Sequence, residues 1–556
     1  MKFVTRILAP AVVIVTLGWA TACAQSGPAA RDPGLAAVQA MAEENYGGDE
    51  AGAAVMVLEG DGPAWAEGFG LADMENGVAN TASTSFRIGS ISKPFTAVAV
   101  LRLVEAGEVE LDAPIGRYLA DLPGILGQPT VRQILSHTSG LPDHFALPQV
   151  ATIFRNPIEP DGIIALMAEA EFQFEPSTRW AYSNFNYVLL GRLIEALDPQ
   201  GRDYGQYIED EIFAPLGMVN SHYDRQAAII PRRAHGYDRD DHGPVNTVTA
   251  DPSLAYAAGA LMSSAEDMGL FSRALIDHRL LSEAMLDLAW TAVILPDGED
   301  TGYGLGFNVG RFMGQRVIWH NGSTNGFQAA WLNLPESGRT VAVLSNGYYR
   351  PNTTMMARRM LATLAGEPVP VFTPHPIDDA AWRPLEGRYE LSDGRIVQIH
   401  VQDGVRYNID GGGWNELAWG GDDLFYLEDS LSHIRVQRDA AGAITGILRF
   451  TGSLDRIEGR RIDGAIEGAQ VSVPLDPDVA ASLAGRWAMQ SGDMVVITFD
   501  GQTLSLQIPQ QPFQQLHAAA DGSYFMRSAP VSIVFSEDGL SADLNLYGWN
   551  YPLTRS

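Results

Sequence analysis

Apolar and polar positions change their spacing several times along the chain. Over 52–73, "GAAVMVLEGDGPAWAEGFGLAD", two apolar runs bracket a Gly-Asp-Gly-Pro turn and predict strand, turn, strand. From Ser90 to about Ala106 the spacing becomes that of a helix: Phe95, Val98, Leu101 and Val104 recur three apart, and Gly107 ends the run. Pro94 falls inside the first turn, where a missing N–H does least harm. Residues 110–300 carry mostly helical patterns between Pro/Gly-rich loops. Then "QRVIWHNGS", "FQAAWLNLP" and "RTVAVLSNG", within 315–347, read as three strands, and a helix is expected over 353–365. Strands at both ends with helices between predict one α/β domain over 25–365 whose sheet is closed by its two ends.

The pattern changes again after a linker at 366–380, proline-rich as far as 378. Beyond it apolar and polar residues alternate between Gly/Asp turns, which predicts all-β structure, and the sequence repeats. "LEGRY" at 385–389 matches "LAGRW" at 483–487, and "GAITGILRF" from Gly442 aligns with "GLSADLNLY" from Gly539. The near-constant offset predicts two small β-barrels, at 381–468 and 478–556, rather than one large sandwich.

Composition narrows the partners. A net charge of -30 repels phosphate backbones and anionic headgroups, which argues against nucleic acid and against electrostatic membrane binding. Residues 1–24 read as an export signal: Lys2 and Arg6, an apolar run from Ile7 to Trp19, then small residues. Cys23, the single cysteine, is either the lipid-carrying first residue of a lipoprotein or discarded by a cut after Ala24. Either way disulfides and cysteine-based metal sites are excluded, no apolar run reads as a membrane span, and an exported protein, periplasmic or lipid-anchored at a bacterial envelope, is expected. No zinc motif is present and no cofactor is implied. "DRDDHG" at 238–243 reads as a solvated acidic loop and "GGGW" at 411–414 as a β-turn. The sequence sets no oligomeric state.

One position stands out chemically. Of 37 cationic residues only Lys2 and Lys93 are lysines, and Lys93 lies three residues after Ser90. Arginine serves an ion pair as well as lysine does, but with a pKa above about 12 it cannot give up its proton. At i and i+3 of one helix, Ser90 and Lys93 share a face, with the helix N-terminus beside the serine. A lysine buried there has a depressed pKa and can accept a hydroxyl proton. Taken alone, S-x-x-K is more often a capping serine followed by a surface lysine; the lysine's uniqueness shifts that balance.

Two further stretches join it. Tyr182-Ser183-Asn184 is the only Tyr-x-Asn among 18 tyrosines, and His320-Asn321-Gly322 the only His-x-Gly among 11 histidines. With "FRIGSISK", "ILSHTSGLP", "YSNFNYVLLGRLIE", "PLGM", "GALMSSAEDM" and "HNGSTNGF", the chain resembles, over about 40–365, the serine penicillin-recognising enzymes. These comprise class C β-lactamases, D-alanyl-D-alanine carboxypeptidases, D-aminopeptidases and related esterases. The resemblance implies a β-lactamase/transpeptidase-like α/β domain, an antiparallel sheet flanked by helices with a helical subdomain. Two lipocalin-like antiparallel barrels following it resemble the D-aminopeptidases.

The resemblance also implies roles. Ser90 is the nucleophile, and Lys93 and Tyr182 form the acid/base pair, with the base left open between them. The expected proton relay requires the charge of Lys93 to lower the Tyr182 pKa from about 10. Asn184 binds the substrate's amide carbonyl and orients Lys93. His320 lines the opposite wall and hydrogen-bonds near the tyrosine, and Gly322 keeps that strand edge open. The N–H groups of Ser90 and Ser323 form an oxyanion hole. His137, Thr138 and Ser139 are read as structural. An uncharged His320, where many relatives carry lysine, attracts carboxylated substrates less. The expectation is therefore a hydrolase of short-peptide amide bonds, with an esterase or weak β-lactamase as the alternative. A pure ligand-binding role is opposed by the lysine, which a binder does not need. Asp422 and Asp423 in "GGDDLF" are candidates for reading a free amine on the substrate.

Overall fold

The computed structural model describes residues 33–555 apart from 63, 241, 368–373, 411–413, 428–429, 467–471, 490–493, 509–512, 527–530, 537 and 547–548. The expected export signal with Cys23, the central part of the expected linker and most of "GGGW" lie outside the described residues.

The central sheet is antiparallel. Its strands are β1 (Ala53–Glu59), β2 (Trp65–Phe69), β3 (Asn308–Phe312), β4 (Gln315–Thr324), β5 (Phe327–Leu334) and β6 (Arg339–Ser345), in the order β3-β4-β5-β6-β1-β2. β1 pairs with β6 through Ala53↔Ser345 to Glu59↔Arg339, so the two ends of the domain meet in mid-sheet. Both faces are apolar, because alternate residues feed two cores. From β1, Ala54, Met56 and Leu58 enter one core while Ala53, Val55 and Val57 enter the other. The first core holds the helices α2 (Ser92–Glu105), α3 (Asn184–Leu197) and α4 (Ala265–Ile276). The second lies under α1 (Pro33–Tyr46) and α5 (Thr353–Leu364).

α2 is buried nearly all round, as expected of a helix at the centre of a domain. It begins later than its spacing predicts. Gly89–Ile91 form a 3₁₀ turn, entered at Gly89 with φ +51°, and the α-helix starts at Ser92. Ser92 Oγ donates to Gly89 O at 2.7 Å and accepts from Leu261 N at 3.0 Å, fixing the turn that carries Ser90.

The C-terminal half forms two closed eight-stranded barrels, β7 (Gly387–Leu391) to β14 (Arg456–Ile462) and β15 (Gly485–Met489) to β22 (Trp549–Arg555), each an antiparallel meander. The repeated motif does equivalent work in both. Tyr389 Oη donates to Leu385 O at 2.7 Å, and Trp487 Nε1 donates to Leu483 O at 3.2 Å, so each buried aromatic plugs its barrel and satisfies its polar atom four residues back. Arg461 and Arg555, on the closing strands, donate to Glu386 O and Ala484 O.

The first barrel docks on the α1/α5 side of the sheet. Met313 N donates to Ser453 O at 2.8 Å, Gly314 N to Asp455 Oδ1 at 3.2 Å, and Leu431 joins the second core. α2 lies on the other face.

Gly322 on β4 is a point of backbone contact. A Cβ there would sit 1.9 Å from Ile88 O and 3.1 Å from Ser90 N. The glycine therefore lets β4 press against the Ser90 turn, which corrects the expectation that it merely keeps an edge open. Gly322→Ala is expected to cost about 1–3 kcal/mol or more, as overpacking against backbone that cannot yield; chemical denaturation of the variant measures it.

Candidate active site

A cleft of about 610 Å³ opens where the Ser90 turn, the start of α3 and the end of β4 converge. Ser90, Asn184, Ser323 and Thr324 line it. A Cβ on Gly89 would lie 2.8 Å from Ser323 N, so the Ser90 and Ser323 backbones form adjoining parts of one wall.

Lys93 lies behind Ser90 with 0% of its surface exposed. Its Nζ donates to Asn184 Oδ1 at 2.8 Å, Ala258 O at 3.0 Å and Ser90 Oγ at 3.3 Å. Burial lowers its pKa to about 7, opposed in part by the negative charge of Asp143. Among the described residues no carboxylate touches it. The amine is therefore one that loses its proton near neutrality while standing in hydrogen-bond reach of the serine.

Tyr182 reverses an expectation. Lys93 Nζ stands 4.6 Å from the centre of its ring. Burial pushes the phenol well above its ordinary value, Ser90 opposing the shift and Asp143 adding to it. Desolvation of the phenol outweighs the charge of a lysine that is itself only partly protonated near neutrality. Tyr182 is therefore held protonated.

His320 is also buried, and its partner differs from the one expected. Nε2 meets Tyr303 Oη at 3.2 Å and Nδ1 meets Asn321 O at 2.7 Å, while the rings of His320 and Tyr182 stand 6.4 Å apart. Burial, then the neighbouring Lys93, lower its pKa to about 3, so the ring is neutral at physiological pH.

Of the expected site residues, Ser90, Asn184 and Ser323 line the cleft, whereas Lys93, Tyr182, His320 and Gly322 lie outside its lining, and His320 is buried rather than forming the opposite wall. The structure adds residues the motifs did not indicate. Asp143 Oδ2 accepts from Asn184 Nδ2 at 2.7 Å and from Asn184 N at 3.2 Å, holding the amide that holds Lys93. Asp143 directly follows "ILSHTSGLP", and that adjacency was the available signal. His137 lies under Tyr182 with ring centres 4.3 Å apart, at φ +58°. Its Nδ1 accepts from Ser183 N at 3.2 Å, and its backbone O accepts from Ala181 N at 3.0 Å, so it grips the Tyr182 loop from below. Its reading as structural stands with this added task. The acidic loop near 422 does not reach the cleft: among the described residues no lining residue lies beyond Tyr348, and Asp423 pairs with Arg438 at 2.8 Å. Asp238 of "DRDDHG" does line the cleft and accepts from Thr247 Oγ1 at 2.6 Å.

A buried, neutralisable amine beside a cleft-lining serine on this fold defines a class, the serine hydrolases with a β-lactamase-like catalytic domain. The chain belongs to the beta-lactamase family, whose profile, described as Beta-lactamase, matches residues 37–365. It is 31% identical over 281 residues to "Putative penicillin-binding protein PbpX" of Bacillus subtilis, covering 50% of this chain and 66% of that one. It is 27% identical over 326 residues to "D-aminopeptidase" of Gluconobacter oxydans, covering 57% and 59%. The chain thus spans less than two thirds of the length of each of these two relatives. The solved D-amino acid amidase of Ochrobactrum anthropi in complex with D-phenylalanine superposes with a TM-score of 0.52 at 25% identity, over 60% of this chain and 99% of that one.

Asp143→Ala is expected to free Asn184 and slow acylation of Ser90 by up to about 10²-fold, the scale of an ångström-level misplacement; the rate of mass gain with a p-nitrophenyl ester measures it.

Proposed function

We propose that the protein cleaves amide bonds of short peptides, in the manner of a D-aminopeptidase or D-alanine carboxypeptidase, through an acyl-enzyme on Ser90. The observation that carries this reading is Lys93, a fully buried amine with a pKa near 7 and 3.3 Å from Ser90 Oγ. Neutral Lys93 takes the Ser90 proton as Oγ attacks the carbonyl carbon. The N–H groups of Ser90 and Ser323 stabilise the oxyanion. The C–N bond then breaks, the leaving amine takes the Tyr182 proton, and the Lys93 ammonium restores it. Water adds to the acyl carbon, Lys93 accepting its proton, and as the acyl carbon–Oγ bond breaks the Lys93 ammonium returns that proton to Ser90 Oγ. The raised pKa of Tyr182 keeps its proton in place until the leaving group needs it and supports the reading of Lys93 as the base.

Asn184 Nδ2 has a second hydrogen for the substrate carbonyl once one is committed to Asp143. Asp238 and Asp251 give an ammonium group partners in the cleft, and the cation among its described lining residues, Arg87, is already paired with Asp224 at 2.7 Å. Both features favour substrates with a free amine over penicillins, as do the names D-aminopeptidase and D-amino acid amidase among its relatives. The same high pKa makes Tyr182 a weak acid, which favours a second reading: an esterase or weak β-lactamase at the same site. The proposed setting is the bacterial envelope, in line with a relative named penicillin-binding protein.

Intact-mass analysis after exposure to a penicillin, a p-nitrophenyl ester and D-alanyl amides is expected to give an adduct lost in Ser90→Ala, with D-alanyl amides turned over fastest. Tyr182→Phe is expected to slow amide cleavage by about 10²–10⁴-fold and ester cleavage far less. A folded protein with neither adduct nor turnover would overturn the reading, and turnover confined to esters would favour the second.

A further inference from the structure

Tyr256 combines three features that a folded chain ordinarily avoids. Its φ is +42°, a left-handed conformation rare for a bulky side chain. Its phenol is buried, and that burial, reinforced by Glu195, holds the pKa well above its ordinary value. Its ring fits only because position 191, in the middle of α3, is glycine: a Cβ there would lie 2.4 Å from Tyr256 Cε1. One turn further along α3, Glu195 Oε1 accepts from Tyr256 Oη at 2.5 Å. Strain of this kind persists where surrounding contacts over-determine it, and it gathers near functional sites.

The twist at Tyr256 has a visible product. The next two carbonyls both point at α2: Ala257 O accepts from Thr96 Oγ1 at 2.7 Å, and Ala258 O accepts from Lys93 Nζ at 3.0 Å. Tyr256 and Glu195 do not line the Ser90 cleft. They line a separate cavity of about 650 Å³, and Asp224 and Asp251 border both spaces. We propose that Tyr256, anchored by Glu195, is a positioning residue that holds the Ala258 carbonyl on Lys93 and so sets where that amine stands relative to Ser90. The inference rests on the reading of Lys93 as the base.

Several titratable groups face Lys93 and share in its behaviour. Asp143 and His144 lie on the loop before α3, His137 lies beneath, Tyr182 and Tyr187 present their rings at 4.6 and 5.3 Å, and His320 comes from β4. Glu195 does not touch Lys93; its Oε1 accepts from Tyr256 Oη and also from Tyr204 N at 2.8 Å. Loss of the Ala258 acceptor removes one of three hydrogen bonds to the ammonium and leaves the other groups in place, so the protonated form weakens and the pKa falls.

The test compares Tyr256→Phe, Glu195→Ala and Glu195→Gln in the full chain, using a D-alanyl amide and ¹⁵N-lysine NMR of the Lys93 side chain. Y256F and E195A are expected to lower kcat about tenfold with KM little changed, because neither residue meets substrate. They are also expected to lower the Lys93 midpoint by about half a pH unit. E195Q keeps an acceptor oxygen for Tyr256 and should retain nearly full kcat. If Y256F does not fold, E195A against E195Q carries the same comparison. A folded Y256F with unchanged kcat and midpoint overturns the proposal, as does a change confined to KM, or an E195Q as damaged as E195A. If the wild type turns over no amide, the proposed function fails while the shift in the Lys93 midpoint still decides this inference.

Discussion

The structure depends on burying one amine without a counter-ion. Lys93 sits in the most enclosed helix of the catalytic domain and is offered three neutral acceptors but no carboxylate in contact. Desolvation disfavours its charged form, and Asp143, which opposes this through its charge, hydrogen-bonds Asn184 rather than the amine. The cost to stability has a definite pH range. The unfolded chain keeps the proton up to about 10.5 while the folded chain releases it near 7. Burial therefore costs most below pH 7, and the cost fades as pH rises through that interval. Arginine in this place would remain charged at every pH, which accounts for a lone lysine among arginines. Tyr182 held protonated and His320 held neutral follow from the same dry surroundings, so one physical cause sets three protonation states.

Much of this was legible in the sequence, for identifiable reasons. Five of the six strands of the central sheet, all but β3, and the two barrels were readable because short apolar runs, alternation and a repeated L-x-G-R-aromatic unit are local signals, and the aromatic's bond to the carbonyl four residues back is local too. The family was readable from three short ordered motifs. What was missed depends on contacts between distant segments. Gly322 looked like an open edge because nothing in its own strand reveals Ile88 O lying against it. The expected lowering of the Tyr182 pKa assumed a charged lysine, and only burial shows that the lysine is the group that yields. Tyr303, 17 residues from His320, and Tyr256, 61 residues from Glu195, carry no motif at all.

The barrels and the catalytic domain divide their tasks by face. The first barrel packs on the α1/α5 layer, whereas the cleft opens on the side of α2 and draws its lining from residues 87–348. An acidic loop on a barrel therefore has no place in this cleft, and the carboxylates that do line it, Asp224, Asp238 and Asp251, belong to the catalytic domain. The two barrels touch each other through the guanidinium of Arg406, 5.7 Å from the ring of Phe525.

The chemistry of the site turns on Lys93 being an amine that loses its proton near neutrality. Protein labelled with ¹⁵N-lysine carries two side-chain amines, Lys2 and Lys93, and Lys93→Arg assigns the second. Titration of that signal is predicted to give a midpoint near 7. A midpoint near 10.5, the ordinary value for lysine, would contradict the account.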